Sequence, residues 1–258
     1  MTLAVAAAAL TLLTASACGS TKTSAPAASP SPSYAVLPAM TDAHGHSLPA
    51  PDCLFPNEGK LQIANLASQD SALVLLLGKG PKGVLLGPQS DGDICQWMPY
   101  ARRLVSLGYH VGIYNWASPF SQLATTAYNL LRKDGATSIV MMGASQGAAT
   151  SIAYAYAQKP PAAGVVSLGG ELNLQTETVL TTDLIAKYTG PLLLISTNHD
   201  SYAPIEDTNK LAAAHPGAEQ VLSFPGSDHG VELLNDQYAA QVNATIEAFL
   251  AKTLPNGK

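Results

Sequence analysis

Gly143-Ala144-Ser145-Gln146-Gly147 is the segment whose residue types and spacing could do chemistry. It follows the apolar run Ser138-Ile139-Val140-Met141-Met142 and precedes an alanine-rich segment of helical character. A strand that turns sharply into a helix around one serine holds that residue in a strained conformation, and flanking glycines remove the side chains that would clash. The hydroxyl is then presented at the edge of the sheet. An unassisted serine hydroxyl is a poor nucleophile near neutral pH, so a base must take its proton as it attacks a carbonyl carbon. Histidine suits that task, since imidazole titrates close to working pH and can return the proton to the leaving group. As a bare pattern, Gly-x-Ser-x-Gly also fits a plain connecting turn. The strand before it and the helix after it give it weight.

The elements that must position such a serine alternate along the chain. Ala72 to Leu77 and Gly83 to Gly87 are short apolar runs joined by Gly78-Lys79-Gly80-Pro81-Lys82, which predicts a hairpin turn. Trp97 to Leu107 has helical spacing, with Met98, Ala101, Leu104 and Val105 on one face, and Gly108 ends it. Strands are expected at Tyr109 to Tyr114, Ser138 to Met142, Ala163 to Leu168, Pro191 to Ser196 and Gln220 to Phe224. Helices are expected at Gln122 to Lys133, Ala148 to Gln158, Pro204 to His215 and Gln237 to Lys252. The strands are continuously apolar rather than alternating, which indicates a sheet covered on both faces. The fold class predicted is α/β, a mostly parallel central sheet flanked by helices.

In this order of elements the chain resembles the α/β-hydrolase superfamily, with a compact core like that of dienelactone hydrolases. Three motifs carry the likeness: the elbow around Ser145; Leu192-Leu193-Leu194-Ile195-Ser196-Thr197-Asn198-His199-Asp200, an apolar strand ending in an acid; and Phe224-Pro225-Gly226-Ser227-Asp228-His229-Gly230, a strand running into a loop with a histidine. The resemblance implies a triad of Ser145, Asp200 and His229, in the chain order nucleophile, acid, base. Ser145 would carry the acyl group, His229 would move the proton, and Asp200 would hold the imidazole in the right tautomer. It also implies an oxyanion hole. One donor is the backbone N–H of Gln146. The other should come from Pro88-Gln89-Ser90, where many relatives have His-Gly; proline cannot donate, so Gln89 is the expected source, with Ser90 as runner-up. Ala148 stands where the superfamily often has glycine. Between Gly170 and Pro191 there is room for one short helix and no large lid, which points to small or medium carboxylic esters in an open cleft. A peptidase or thioesterase of the same fold, or a non-catalytic ligand-binding lipoprotein, are the alternatives.

Other polar residues have structural explanations. Asp228 adjoins His229, but neighbours on an extended loop point apart. Asp207 falls on a predicted helix face, and His199 on a surface loop. His110 starts a strand, and His215 ends a helix where a cation favours the dipole. Trp97, Trp116 and Phe120 fit either a substrate pocket or the core. Asn115 and Trp116 follow a strand at a position where relatives often have an acid, and no role is assigned to them.

The N-terminal residues suggest export. Leu3 to Leu13 is apolar or small throughout, too short to span a bilayer and right for a signal-peptide core. Ala15-Ser16-Ala17-Cys18-Gly19-Ser20 resembles the lipobox of bacterial lipoproteins, which implies a signal peptide over 1–17 and lipidation of Cys18. The expected location is the outer face of a cell membrane, lipid-anchored, or secreted. Residues 18–50, rich in Ser, Thr, Ala and Pro, read as a flexible tether, leaving 51–258 as one domain. Cys53 and Cys95 then form an even pair that could bridge in an oxidising compartment, or stand as buried thiols. His44 and His46 form a lone His-x-His without metal-site spacing, and neither metal nor cofactor is called for. A net charge of −5 with no Lys/Arg cluster argues against nucleic acid as a partner.

Overall fold

In the computed structural model the described residues are 37–254, apart from 69, 91 and 173–179. A two-stranded hairpin comes first, β1 (Met40–Thr41) against β2 (Ser47–Leu48). The main sheet has eight strands: β3 (Lys60–Asn65), β4 (Ser71–Leu77), β5 (Lys82–Gly87), β6 (His110–Tyr114), β7 (Ser138–Ala144), β8 (Gly164–Leu168), β9 (Leu192–Thr197) and β10 (Glu219–Phe224). The helices between and after them are α1 (Ile94–Ser106), α2 (Phe120–Lys133), α3 (Gln146–Tyr154), α4 (Thr182–Ile185), α5 (Ile205–Ala214) and α6 (Ala239–Thr253). None of the described helices is long and apolar enough to cross a membrane.

The sheet order is β10-β9-β8-β7-β5-β6-β4-β3, with β4 antiparallel to both of its neighbours and every other pair parallel. The hairpin expected between Ala72–Leu77 and Gly83–Gly87 does not form. β6 lies between those two strands, pairing antiparallel with β4 and parallel with β5. The glycine-rich turn therefore crosses over a neighbour that arrives later in the chain by way of α1. A local turn signal says that the chain reverses, but not which strand fills the space.

Each interior strand is buried along its length, apart from the first residue of β4, β5 and β7, because alternate residues face two helical layers. Leu75, Val84, Val111, Val140, Val166 and Leu193 pack with Trp97 and Leu104 of α1 and Ile246 of α6. Val74, Leu85, Met141, Val165 and Leu194 pack on the other side with Leu123 and Tyr128 of α2, Ile152 of α3 and Leu211 of α5. Trp97 is thus a core residue, its Nε1 donating to the Gly87 carbonyl at 3.2 Å. Phe120 is buried under the half-exposed Trp116, with ring centroids 5.1 Å apart. Asn115 gains a role, since its Oδ1 accepts from the Ile94 N–H at 3.0 Å and so holds the start of α1.

Secondary structure is present before residue 50, inside the stretch read as a tether. In the β1/β2 hairpin the buried Asp42 carboxylate accepts from the backbone N–H groups of His44 (2.9 Å) and His46 (2.8 Å) and pairs with the His46 ring at 3.0 Å. Burial pushes the Asp42 pKa up, but these hydrogen bonds and one from Ser71 outweigh it and hold the group well below the usual carboxylate range. The His-x-His pair is part of this turn.

Cys53 and Cys95 form a disulfide, with Cα atoms 5.6 Å apart, joining the start of the domain to the first turn of α1. Arg102 reinforces the same junction, donating to Glu58 (2.6 and 2.8 Å) and to the Cys53 carbonyl (2.7 Å). Closing a loop of 42 residues stabilises the fold by about 4 kcal/mol in the chain-entropy model. The double variant Cys53→Ser, Cys95→Ser should lose about that much in urea unfolding. A loss under about 1 kcal/mol would show that the unfolded chain gains little freedom when the bridge is removed.

His215 corrects the helix-dipole expectation. It caps α5, yet it is buried, with its ring 5.9 Å from Tyr188. Burial lowers its pKa below the ordinary 6.5, against a smaller opposing pull from Glu219, so the neutral ring is the favoured form.

Candidate active site

Ser145 joins β7 to α3 with φ 51° and ψ −118°, a positive φ that costs a non-glycine residue on the order of 1–3 kcal/mol. Close packing maintains it. A Cβ on Gly143 would strike the backbone of Gly147, and one on Gly147 would strike the carbonyl of Gly87 at the end of β5. Glycine at these points lets the head of α3 press against two strand ends. Two hydrogen bonds pin the elbow, from the Ser145 N–H to the Leu168 carbonyl (2.9 Å) and from the Ala149 N–H to the Ser145 carbonyl (3.0 Å).

Asp200 and His229 come to the same sheet edge from the ends of β9 and β10. His229 Nδ1 lies 2.6 Å from Asp200 Oδ2. The other oxygen of Asp200 accepts from the N–H groups of Tyr202 (2.9 Å) and Ala203 (3.0 Å), which fixes the carboxylate before it meets the imidazole. Both residues are buried. Gly169, at φ +60°, passes so close that an added Cβ would come within 3.0 Å of His229 Nδ1. The Thr197 hydroxyl donates to the Asp228 carbonyl (2.9 Å), and the Glu232 carboxylate accepts from the His229 N–H (3.0 Å), so the histidine loop is held on both sides.

The rival residues lie elsewhere. Asp228 interacts with Asp236, Asp207 pairs with Lys210 at 2.8 Å, and His199 is exposed. His110 is buried in β6, 3.2 Å from Asp134.

One participant carries no sequence motif. The Ser145 hydroxyl donates to Glu171 Oε1 at 2.7 Å, and the same oxygen lies 3.8 Å from His229 Nε2. Glu171 is buried just beyond β8, after Gly169-Gly170. Its only signal in the sequence is an acid three residues past the end of a buried strand, at the sheet edge where the serine emerges.

The loop after β5 differs from expectation. The backbone N–H of Gln89 donates to the side chain of Gln96 at 3.1 Å, so the donor expected for an oxyanion is already engaged. The Gln89 side chain instead crosses to the histidine loop, its Oε1 accepting from the Val231 N–H at 2.7 Å. Gly230, at φ +58°, leaves the room this requires, since an added Cβ would strike that oxygen. Gln89 is a strut between two loops, and its neighbour Ser90 lines the cleft.

The resulting cleft has a volume of about 430 Å³. Ser145, His229, Ser90, Tyr202, Glu171 and Glu232 line it, and no Lys or Arg does so among the described residues. Asp52, Cys53 and Cys95 bring potential metal-binding atoms together, but the two sulfurs are bonded to each other and offer no thiolate.

A family model described as phospholipase/carboxylesterase matches residues 111–235, which include Ser145, Asp200 and His229. No curated protein sequence matches the chain. Among solved structures, an esterase from Pyrococcus furiosus superposes with a TM-score of 0.65 at 11% identity, over 76% of this chain and 91% of its own. The esterase domain of a Rhodothermus marinus protein gives 0.60 at 18% identity, over 75% and 98%. Dienelactone hydrolase from Anabaena variabilis gives 0.59 at 13% identity, over 77% and 99%. The chain has the α/β-hydrolase fold. That fold explains the site's location, where α/β sheets place their ligands beyond the carboxyl ends of the strands. The connection from β8 to β9 holds the short α4, residues 173–179 lying outside the described part.

Proposed function

We propose that the protein is a serine hydrolase that cleaves carboxylic esters of small or medium size through an acyl-enzyme intermediate. The observation that carries this reading is that Ser145, on a strained elbow, and His229 line one cleft, with the buried Asp200 bonded to the imidazole at 2.6 Å. With Nδ1–H donated to Asp200, Nε2 is the basic nitrogen and faces the cleft. The hydroxyl proton passes to Nε2 as Oγ attacks the ester carbonyl, and the same proton leaves with the alcohol. Water then repeats the cycle on the acyl-enzyme. The oxyanion is received by the backbone N–H of Gln146 at the head of α3, with Ser90 as the second donor now that Gln89 is engaged by Gln96. The phospholipase/carboxylesterase family match and the esterases of like fold support ester rather than amide chemistry.

The test is hydrolysis of short-chain p-nitrophenyl esters by the purified domain, lost on Ser145→Ala. A protein that binds such esters without turning them over would instead be a binding module.

The same reading includes export and a lipid anchor at Cys18, a residue outside the described part. The Cys53–Cys95 bridge supports it, because disulfides persist in oxidising compartments. Metabolic labelling with palmitate should mark the full chain in a bacterial host and vanish on Cys18→Ser. Label that survives this change contradicts the anchor.

A further inference from the structure

Glu171 is the anomaly of the cleft. Its side chain is only 11% exposed, and its Oε1 stands between the nucleophile and the imidazole, 2.7 Å from Ser145 Oγ and 3.8 Å from His229 Nε2. Two consequences oppose hydrolysis of a neutral ester. The hydroxyl is donated to the carboxylate, which competes with His229 for the proton that must move. The carboxylate also sits beside the place where the oxyanion develops, and like charges in a site shielded from water repel strongly. A buried carboxylate calls for a compensating charge, and among the described residues the lining supplies a second acid, Glu232, and no Lys or Arg. Tyr202, 69% exposed with its ring 5.0 Å from that of His229, adds an aromatic face of the kind that attracts cations.

A single feature of the substrate removes both obstacles. The geometry points to esters that carry a cationic ammonium group beside the scissile bond as the substrate class, with Glu171 as the residue that selects them. This rests on the serine-hydrolase reading of the same site. An ammonium that pairs with Glu171 neutralises the charge next to the oxyanion and takes the acceptor away from Ser145. The hydroxyl then turns to His229 Nε2. Binding the right substrate and arming the nucleophile are the same event, and a neutral ester achieves neither.

The ammonium could belong to the acyl or to the alcohol half of the ester, and paired isosteres separate the two. In the acyl arm, alanine p-nitrophenyl ester is compared with p-nitrophenyl isobutyrate; in the alcohol arm, butyrylcholine with 3,3-dimethylbutyl butyrate. Each ratio is referred to that of alkaline hydrolysis, which removes intrinsic reactivity. Wild-type protein should favour the cationic member by about tenfold or more in kcat/KM in one arm, the size expected of a charge pair partly shielded from water, and that arm identifies which half carries the cation. Glu171→Gln should bring the ratio close to one and raise the rate on the neutral ester. Glu171→Asp, which keeps the charge, should retain part of the preference. No preference in either arm, or a preference unchanged in Glu171→Gln, overturns the proposal while leaving the hydrolase reading intact. Failure of Glu171→Gln to react at Ser145 with a fluorophosphonate, with its melting temperature unchanged, also overturns it, because Glu171 would then be needed to activate the serine. Hydrolysis of none of the four esters, together with no labelling of the wild-type protein, sinks both readings.

Discussion

Ser145→Ala should lower kcat for a p-nitrophenyl ester by roughly 10⁶-fold, the scale seen when the nucleophile of a serine hydrolase is removed. The substitution takes away the atom that bonds to the acyl carbon, and no neighbouring group can stand in for it. Ser90 and Ser227 also line the cleft, but neither sits on the elbow. The same change takes a hydrogen-bond donor from the buried Glu171, so stability should fall by about 1–3 kcal/mol. The backbone strain at φ 51° is shared by serine and alanine and should contribute little to the difference. A steady-state assay and a urea melt on one preparation separate the two effects. An enzyme that loses only a few-fold in activity does not use Ser145 as its nucleophile.

Asp200→Asn should cost about 10⁴-fold in kcat while leaving the fold in place. Its oxygen can still accept the N–H groups of Tyr202 and Ala203, so the turn after β9 is preserved. The other group then presents an amide N–H to His229 Nδ1, where a carboxylate oxygen lay at 2.6 Å. Two donors cannot face each other, and the ring responds by moving its proton to Nε2. That tautomer has no lone pair for the Ser145 proton. The loss should therefore fall on kcat more than on KM, and ¹⁵N chemical shifts of the His229 ring should report the change of tautomer. Activity within tenfold of wild type would mean that Asp200 does not orient the base.

The parts of this protein legible in its sequence are those whose signal is local. Ser145 is announced by the glycines that its own turn requires, while Asp200 follows the apolar β9 and His229 sits in the glycine-bearing loop after β10. The interior strands β5, β7, β8 and β9 are continuous apolar runs because both of their faces are covered. β3 passes unnoticed because Lys60–Asn65 lies at the sheet's edge and is largely half-exposed, so its apolar content is diluted. The β1/β2 hairpin hides in a polar stretch, since it is held by the Asp42 side chain rather than by apolar pattern.

Other features depend on which groups meet, and sequence order does not reveal that. The turn after β4 looked like a hairpin because the insertion of β6 is a tertiary event. Gln89 looked free to donate because Gln96, seven residues on, reaches back to it only once α1 has formed. Glu171 belongs to no motif, yet 26 residues after Ser145 the chain returns it to the serine's hydroxyl.

The most direct measurement is labelling with a fluorophosphonate, followed by intact-mass analysis and peptide mapping. The account predicts one adduct per chain, on Ser145, absent from Ser145→Ala and slowed in Asp200→Asn. No adduct on folded protein, or an adduct that persists in Ser145→Ala, would contradict it.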